Sequence, residues 1–319
     1  MATRRVVLGI DIGGTRVKCG LIDLDYKAIV IQTALPTNTE GQSALVQSLV
    51  RMGEMLCDRA GTDMSSLLGV GVGVPGYVDG DEISLVAESI AFLEGNTFRG
   101  ELQAALGLPV RLDNDARLIA LGETLFGGHG PAQAVLPRRL LSLTLGTGLG
   151  VALVVDGHLQ ERSSVTHLAG HIPIRPGAAP CFCGFQGCLE SLVGASALPR
   201  NYRQALDCLR LPPDTDDPDS QRVFALATQG SVAALHAVRQ MLDDLIVGLN
   251  AFIYIYAPEV IVLGGGIAHG LHRWLPSIRE GLFARPYASY AVSICLSELG
   301  EQAGLWGAAS LWEQTDDLC

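Results

Sequence analysis

The chain has 319 residues, 48% hydrophobic and 17% charged, with 22 Lys and Arg against 33 Asp and Glu for a net charge of −11. The length makes two domains the starting expectation, and the apolar share is enough to bury large cores. The acidic balance, with a pI near 5.0, excludes a nucleic-acid partner because no basic stripe neutralises phosphates, and no apolar run reaches the roughly 20 residues of a membrane span. Eight cysteines, three of them in one cluster, fit a reducing cytoplasm better than a disulfide framework.

The opening MATRRVVLGIDIGG has the outline of a secretory leader, but the apolar run meets Asp11 too soon and no small-residue cleavage site follows. It reads as a first strand, Val6 to Ile12, broken by Gly13-Gly14-Thr15 and resumed from Arg16 to Ile22 before a turn over Asp23 to Lys27. Backbone N–H groups at such a tip form an anion-binding nest, and Asp11 beside it suits magnesium held through water. A bare hairpin turn is the other reading. A helix follows over Ser43 to Arg59, then a strand over Leu68 to Val74 closing on Pro75-Gly76-Tyr77, and a turn at Asp79-Gly80-Asp81. Phe98 to Leu106 reads as a helix, and Val110 to Leu112 is a short strand running into Asp113-Asn114-Asp115 before a helix over Ala116 to Phe126. Asp115 thus stands where a strand ends and a helix begins, the place where open α/β sheets hold their ligands. A helix cap there is the plain alternative.

Leu141 to Gly157, LSLTLGTGLGVALVVDG, repeats the plan of Val7 to Asp25: apolar strand, glycine and threonine tip, apolar strand, Asp turn. Two such hairpins predict two domains on one template, each aiming a Gly/Thr loop at a shared cleft; a chance match of two glycine-rich hairpins is the alternative.

His171, Cys181, Cys183 and Cys188 form the one-imidazole, three-thiolate set that suits tetrahedral zinc, with Gly184 and Gly187 allowing tight turns between the sulfurs. Such a site is closed and therefore structural; reduced, buried cysteines are the alternative. Glu190, two residues after Cys188, is either a carboxylate held rigidly by the metal-fixed turn or a surface residue favoured at a helix start. From Ser196 the chain is mainly helical, with a solvent-exposed Pro/Asp loop over Leu211 to Ser220 and a long helix from Ser231 to Tyr256 stopped by Pro258. Val260 to Leu263 is a buried strand. Gly264-Gly265-Gly266 after it lets a flat ring approach the backbone, and Ala303 to Trp312 is a closing helix of small residues.

Taken together, GIDIGGT (9 to 15), GVGVPG (71 to 76), DNDA (113 to 116), ALGE (120 to 123), LGTGLG (145 to 150), GH (170 to 171), CFCGFQGCLE (181 to 190), PEVIVLGGGI (258 to 267) and AGLWGAA (303 to 309) resemble the ROK-family sugar kinases of the actin/hexokinase superfamily. The motifs occur in family order over nearly the whole chain, and the interval from His171 to Cys181 fits the family's zinc site. The resemblance implies that Asp115 is the catalytic base and that Asn114, Glu190, His171, Gly76 and Ser89 face the sugar. It places Asp11, Gly13, Gly14, Thr15 and Lys18 at the triphosphate with magnesium near Asp11. Gly146, Thr147 and Gly148 would cradle the phosphates from the other domain, with Gly265 and Gly266 at the adenosine.

Two positions depart from the family pattern. Family kinases usually carry Glu three residues before the zinc His, where this chain has Leu168, and a sugar-binding Asn about where Ser89 falls. His167 could replace the Glu through a one-residue slip, or His171 could take its place and leave the zinc without an imidazole; His171 is kept as the ligand. A lost charged hydrogen bond to a sugar hydroxyl costs roughly 1.5–3 kcal/mol. The family's sugar repressors carry a helix-turn-helix domain before the DxGGT hairpin, which here begins by residue 8, so the kinase branch is expected.

The expected architecture is two RNase-H-like α/β domains around a hinged cleft: residues 1–119, residues 120–302 with the zinc motif, and residues 303–319 returning to the first. The expected activity is ATP- and magnesium-dependent phosphorylation of a hexose or hexose derivative at O6, in a cytoplasmic enzyme that forms a homo-oligomer, a dimer. The alternatives are a kinase for an amino sugar or cyclitol, and a non-catalytic sugar-binding regulator.

Overall fold

In the computed structural model, which describes residues 4–86, 88–129, 136–159, 165–213, 217–283 and 291–313, strands and helices alternate along the chain. Strands β1 (Val6–Ile12), β2 (Arg16–Asp23) and β3 (Ala28–Pro36) precede helix α1 (Gln42–Ala60) and strand β4 (Gly69–Val74). A small hairpin, β5 (Tyr77–Asp79) and β6 (Glu82–Ser84), leads to α2 (Phe98–Leu106), β7 (Val110–Asn114) and α3 (Asp115–Phe126). Then come β8 (Arg139–Leu145), β9 (Leu149–Val155), β10 (His158–Leu159), α4 (Leu189–Val193), α5 (Ala197–Leu209), α6 (Ser220–Thr228) and α7 (Val232–Tyr256). The remaining elements are β11 (Val260–Gly264), α8 (Leu275–Phe283), β12 (Ser293–Leu296) and α9 (Ala303–Ser310).

Two five-stranded sheets have the same plan, with orders β3-β2-β1-β4-β7 and β10-β9-β8-β11-β12. In the first, β1 to β3 form an antiparallel meander, while β4 and β7 run parallel to β1. In the second, β11 pairs in parallel with both β8 and β12. β3 was not anticipated. Its side chains alternate between exposed and half-buried positions, as an outer strand's do, so it lacks the apolar run by which β1 was legible.

The chain divides into two compact units: residues 1–138, 154–165 and 298–319 form the first, and residues 139–153 and 166–297 the second. α3, through which the expected boundary near residue 120 passed, lies whole in the first unit. The helix cannot be divided because it packs along α9: a Cβ on Gly307 would lie 1.9 Å from the Leu118 carbonyl oxygen, and one on Gly122 2.8 Å from the Gly307 nitrogen.

The side-chain alternation of β1 divides the first unit's core. Leu8, Ile10 and Ile12 join the buried cluster containing Leu49 and Leu56 of α1 and Phe98 and Leu102 of α2. Val7, on the other face, packs with Leu305 and Trp306 of α9, and Asp11 shares that face by strand period. In the second unit, Leu143, Leu145 and Val151 pack with Leu192, Val238, Leu245 and Leu249 in one apolar core. Among the described residues no helix is long and apolar enough to cross a membrane.

Candidate functional site

The first unit places two carboxylates, Asp11 and Asp115, at the C-terminal ends of the parallel strands β1 and β7, which flank β4. Asp11 pairs with Gly73 across β1 and β4, and Gly73 pairs with Asp113 across β4 and β7. A Cβ on Gly73 would lie 3.6 Å from the Asp115 Cα and 3.8 Å from Asp11 Oδ1, so the missing side chain leaves the space between the two acids open. Asp115 is the first residue of α3, and the cap is Asn114, whose Oδ1 accepts from the Arg117 N–H at 3.1 Å. Asn114 Nδ2 donates to the Gly76 carbonyl at 2.7 Å and to Asp115 Oδ1 at 3.0 Å, so both hydrogens of the carboxamide expected at the sugar are engaged within the protein. Asp115 Oδ1 also accepts from the Ala116 N–H at 2.8 Å. Burial, and then the Asp11 carboxylate, push the Asp115 carboxyl up to about 7. Asp113 is occupied by a buried ion pair with Arg117 at 2.8 Å.

The glycine tip between β1 and β2 lies beside Asp11. Gly13 N–H donates to Arg16 O at 3.0 Å, while Thr37 straps the tip, its N–H on Thr15 O at 3.0 Å and its hydroxyl on Gly13 O at 2.7 Å. Ser89 Oγ lies 3.7 Å from where a Gly14 Cβ would be, which brings this expected sugar residue to the glycine tip. Burial raises the Asp11 carboxyl, and Lys18, whose ammonium is 4.0 Å from Asp11 Oδ2, opposes the rise. Lys18 also donates to the Glu301 carbonyl at 2.8 Å. Gly304 at the start of α9 makes room for Asp11, since a Cβ there would collide with the carboxylate, 2.5 Å from its carbon. Neither Thr37 nor Gly304 was anticipated.

In the second unit, His171, Cys181, Cys183 and Cys188 offer four ligand atoms all within 4.8 Å of one another. Cys183 and Cys188 Sγ are 3.6 Å apart, and Cys181 Sγ is 3.4 Å from His171 Nδ1. A tetrahedron with zinc–sulfur bonds near 2.3 Å and a zinc–nitrogen bond near 2.0 Å has edges of about 3.5–3.8 Å, so the donor set fits zinc. Gly184 and Gly187 hold left-handed φ of 92° and 75°, and a Cβ on Gly187 would strike the Arg175 carbonyl oxygen at 1.7 Å. Arg175 pairs with Asp244 of α7 at 2.8 Å. Leu168 is half-buried, and His167 is buried.

Glu190, on the first turn of α4, lies between this cluster and the second glycine tip. Its Oε1 is 3.6 Å from His171 Nδ1 and 3.7 Å from Cys181 Sγ, while Oε2 accepts from the Leu149 N–H at 2.9 Å. Gly146 and Thr147 line a cavity of about 720 Å³ together with Ala195, Ser220, Phe224, Gly266, Ile267 and His269. Gly265 does not face it: at φ 84° it packs inward, where a Cβ would meet the Leu145 carbonyl oxygen at 2.4 Å. The expected solvent loop over Leu211 to Ser220 also ends differently. Residues 214–216 lie outside the described residues, Asp219 caps α6 through the Arg222 N–H, and buried Ser220 donates to Ala195 O at 2.7 Å. The cavity's helical wall carried no sequence motif.

The repeated sheet plan, with a glycine tip at the first hairpin of each, defines an actin-like ATPase fold. The ROK family model matches residues 7–315, and the chain belongs to the ROK family. A glucokinase from Thermotoga maritima is 29% identical, over 96% of this chain and 96% of that protein. An N-acetyl-D-glucosamine kinase from Yersinia enterocolitica is 28% identical over 83% of this chain and 85% of its own length. A ROK family glucokinase from Streptomyces griseus, solved with glucose and AMPPNP, is 27% identical with a TM-score of 0.78, covering 96% of this chain and 98% of that one.

Proposed function

We infer that the chain is an ATP-dependent kinase of a hexose or hexosamine and propose that it phosphorylates O6. The observation that carries the reading is Asp115. Its carboxyl stands at about 7, near neutrality, where a general base combines ionisation with proton affinity. As the hydroxyl oxygen bonds to the γ-phosphorus of ATP, the bond from that phosphorus to the ADP oxygen breaks and Asp115 takes the hydroxyl proton. Asn114 fixes the carboxylate by its hydrogen bond to Oδ1.

Phosphoryl transfer asks a protein mainly for positioning and for compensation of charge. Lys18 and the backbone N–H groups of the tip from Gly13 to Thr15 are assigned to the phosphates, as are those of Gly146, Thr147 and Gly148. Asp11 is assigned to magnesium through water, where the ion neutralises phosphate charge. The cavity beside Gly146 and Gly266 is assigned to the nucleoside, and its Phe224 wall supplies apolar surface for a base. His171, Cys181, Cys183 and Cys188 are assigned structural zinc. Glu190 and His171 are assigned to the sugar, with Nδ1 of His171 toward the metal, and Asn114, Ser89 and Gly76 complete the expected set.

Similarity to kinases of glucose and of N-acetyl-D-glucosamine supports a hexose with or without an acylated nitrogen. Leu168 favours a second reading, a substrate whose hydroxyl pattern lacks the partner of the Glu usual there, such as an amino sugar or cyclitol. ATP consumption by the zinc-loaded protein across hexoses, N-acetylhexosamines and cyclitols tests both. Turnover with one class, lost in Asp115→Asn, establishes the reading and its substrate; a silent panel in a protein that binds sugar overturns it.

A further inference from the structure

Glu190 stands beside the sulfur and imidazole cluster, and it also reaches the other functional loop of its unit. The strand that begins at Leu149 follows the Gly146-Thr147-Gly148 tip directly. At the first residue of that strand the Leu149 N–H has the Glu190 carboxylate as its acceptor, at 2.9 Å. The contact depends on the glycine before it: a Cβ on Gly148 would fall 2.7 Å from Glu190 Oε2. The other carboxylate oxygen points back to His171 Nδ1 and Cys181 Sγ, at 3.6 and 3.7 Å.

The backbone of α4 continues the connection. Gly194 N–H donates to the Glu190 carbonyl at 2.8 Å, and the next residue, Ala195, donates to the Gly146 carbonyl at 2.9 Å. A Cβ on Gly194 would meet both Glu190 O at 2.9 Å and Thr147 O at 3.1 Å. Gly146 and Thr147 line the cavity assigned to the nucleoside, and Ala195 lines it too. One short helix therefore carries a cysteine of the cluster at its cap, the bridging carboxylate in its first turn, and a wall of the cavity at its end.

We propose that Glu190 is a positioning residue for the nucleotide: its carboxylate ties the Gly146-Thr147-Gly148 loop to the cysteine and histidine cluster, so that an ordered cluster is a condition of tight nucleotide binding. The proposal rests on the kinase reading and goes beyond the sugar contact assigned to Glu190 there. A residue that only touches sugar has no effect on nucleotide binding in sugar's absence. A residue that holds the loop does.

The test is the affinity of wild type, Glu190→Ala and Glu190→Gln for magnesium AMPPNP without any sugar, with zinc content measured for each. Glutamine keeps an oxygen for the Leu149 N–H; alanine does not. Loss of a charged hydrogen bond corresponds to roughly ten- to a hundredfold. Glu190→Ala is expected to bind AMPPNP at least tenfold more weakly and Glu190→Gln within about threefold of wild type. Amide exchange at Leu149 gives the second readout, faster in Glu190→Ala and in chelator-treated wild type but slow in Glu190→Gln. Unchanged AMPPNP affinity and unchanged Leu149 exchange in Glu190→Ala overturn the tie while leaving the kinase reading intact. Wild type that does not bind AMPPNP overturns both. If Glu190→Ala does not fold, Leu149 exchange in wild type before and after chelation decides: no change overturns the coupling.

Discussion

The two glycine tips have one sequence design and two kinds of support. The tip from Gly13 to Thr15 is strapped by a neutral side chain, Thr37, and stands beside opposite charges, with the Asp11 carboxylate 4.0 Å from the Lys18 ammonium. The tip from Gly146 to Gly148 has its following N–H on a carboxylate, Glu190, that also faces the cysteine and histidine cluster. The first arrangement gathers charge beside the tip; the second ties a backbone N–H to a side chain that faces the cluster. Duplicated hairpins can therefore differ in what their own strands carry, here Asp11 on β1 and Lys18 on β2, and in what other elements bring to the tip, Thr37 to the first and Glu190 to the second.

The largest effect is expected at the charged end. Asp115→Asn is expected to lower kcat by about a thousandfold, with zinc content and far-UV circular dichroism unchanged; residual activity within tenfold of wild type removes Asp115 as the base. The same group gives the pH dependence. kcat/KM rises as Asp115 loses its proton through about 7. The folded-state value lies above the ordinary carboxylate value near 4, so between about 4 and 7 the native chain holds a proton that the unfolded chain has lost. Asp115 thus subtracts stability as pH rises through that window. Asp115→Asn should melt above wild type at pH 8, and the difference should shrink at pH 5.

Metal removal tests the second tip. Chelation is expected to lower Tm by several degrees and turnover by at least tenfold, with zinc restoring both; an unchanged Tm counts against a structural metal. Gly304→Ala tests the charged tip from behind, since the new methyl collides with the Asp11 carboxylate. About tenfold loss in kcat/KM is expected, with a higher magnesium requirement as the distinguishing measurement. The smallest effect belongs to Thr37→Val, which removes one hydroxyl bond to Gly13 O. A neutral bond contributes about 1 kcal/mol, so the KM for ATP should rise severalfold while kcat stays near wild type.

Legibility followed the range of the interactions. The placement of Asp11 near a strand end, Gly13 in the turn after it and Asp115 at a helix start could be read because strand periodicity and turn chemistry are local, and α2 begins and ends where its pattern indicated, Phe98 to Leu106. The cysteine cluster was legible because three of its four members lie within eight residues. Thr37 was not, because its meaning lies in bonds to Gly13 and Thr15, more than twenty positions earlier. Ser220 and Phe224 fell in and after a stretch whose Pro and Asp content indicates solvent, yet tertiary packing buries both. Gly265 shows the limit of a motif: a strand followed by glycines was recognised, but which glycine faces the cavity depends on the Leu145 carbonyl.

The return of α9 to the first unit has a consequence in time. A nascent chain leaves the ribosome from its N-terminus at about 5–20 residues per second. Strands β1 to β7 and helix α3 emerge early, but Leu305 and Trp306, which pack against Val7, belong to the last helix described. The whole second unit is synthesised in between, so the first unit must wait on the order of ten seconds for the helix on which Asp11 rests. Chaperones that guard half-made chains have that interval in which to meet the bare face of β1, and a ribosome stalled before Ala303 leaves a polypeptide whose second unit is entire and whose acidic pair has no floor.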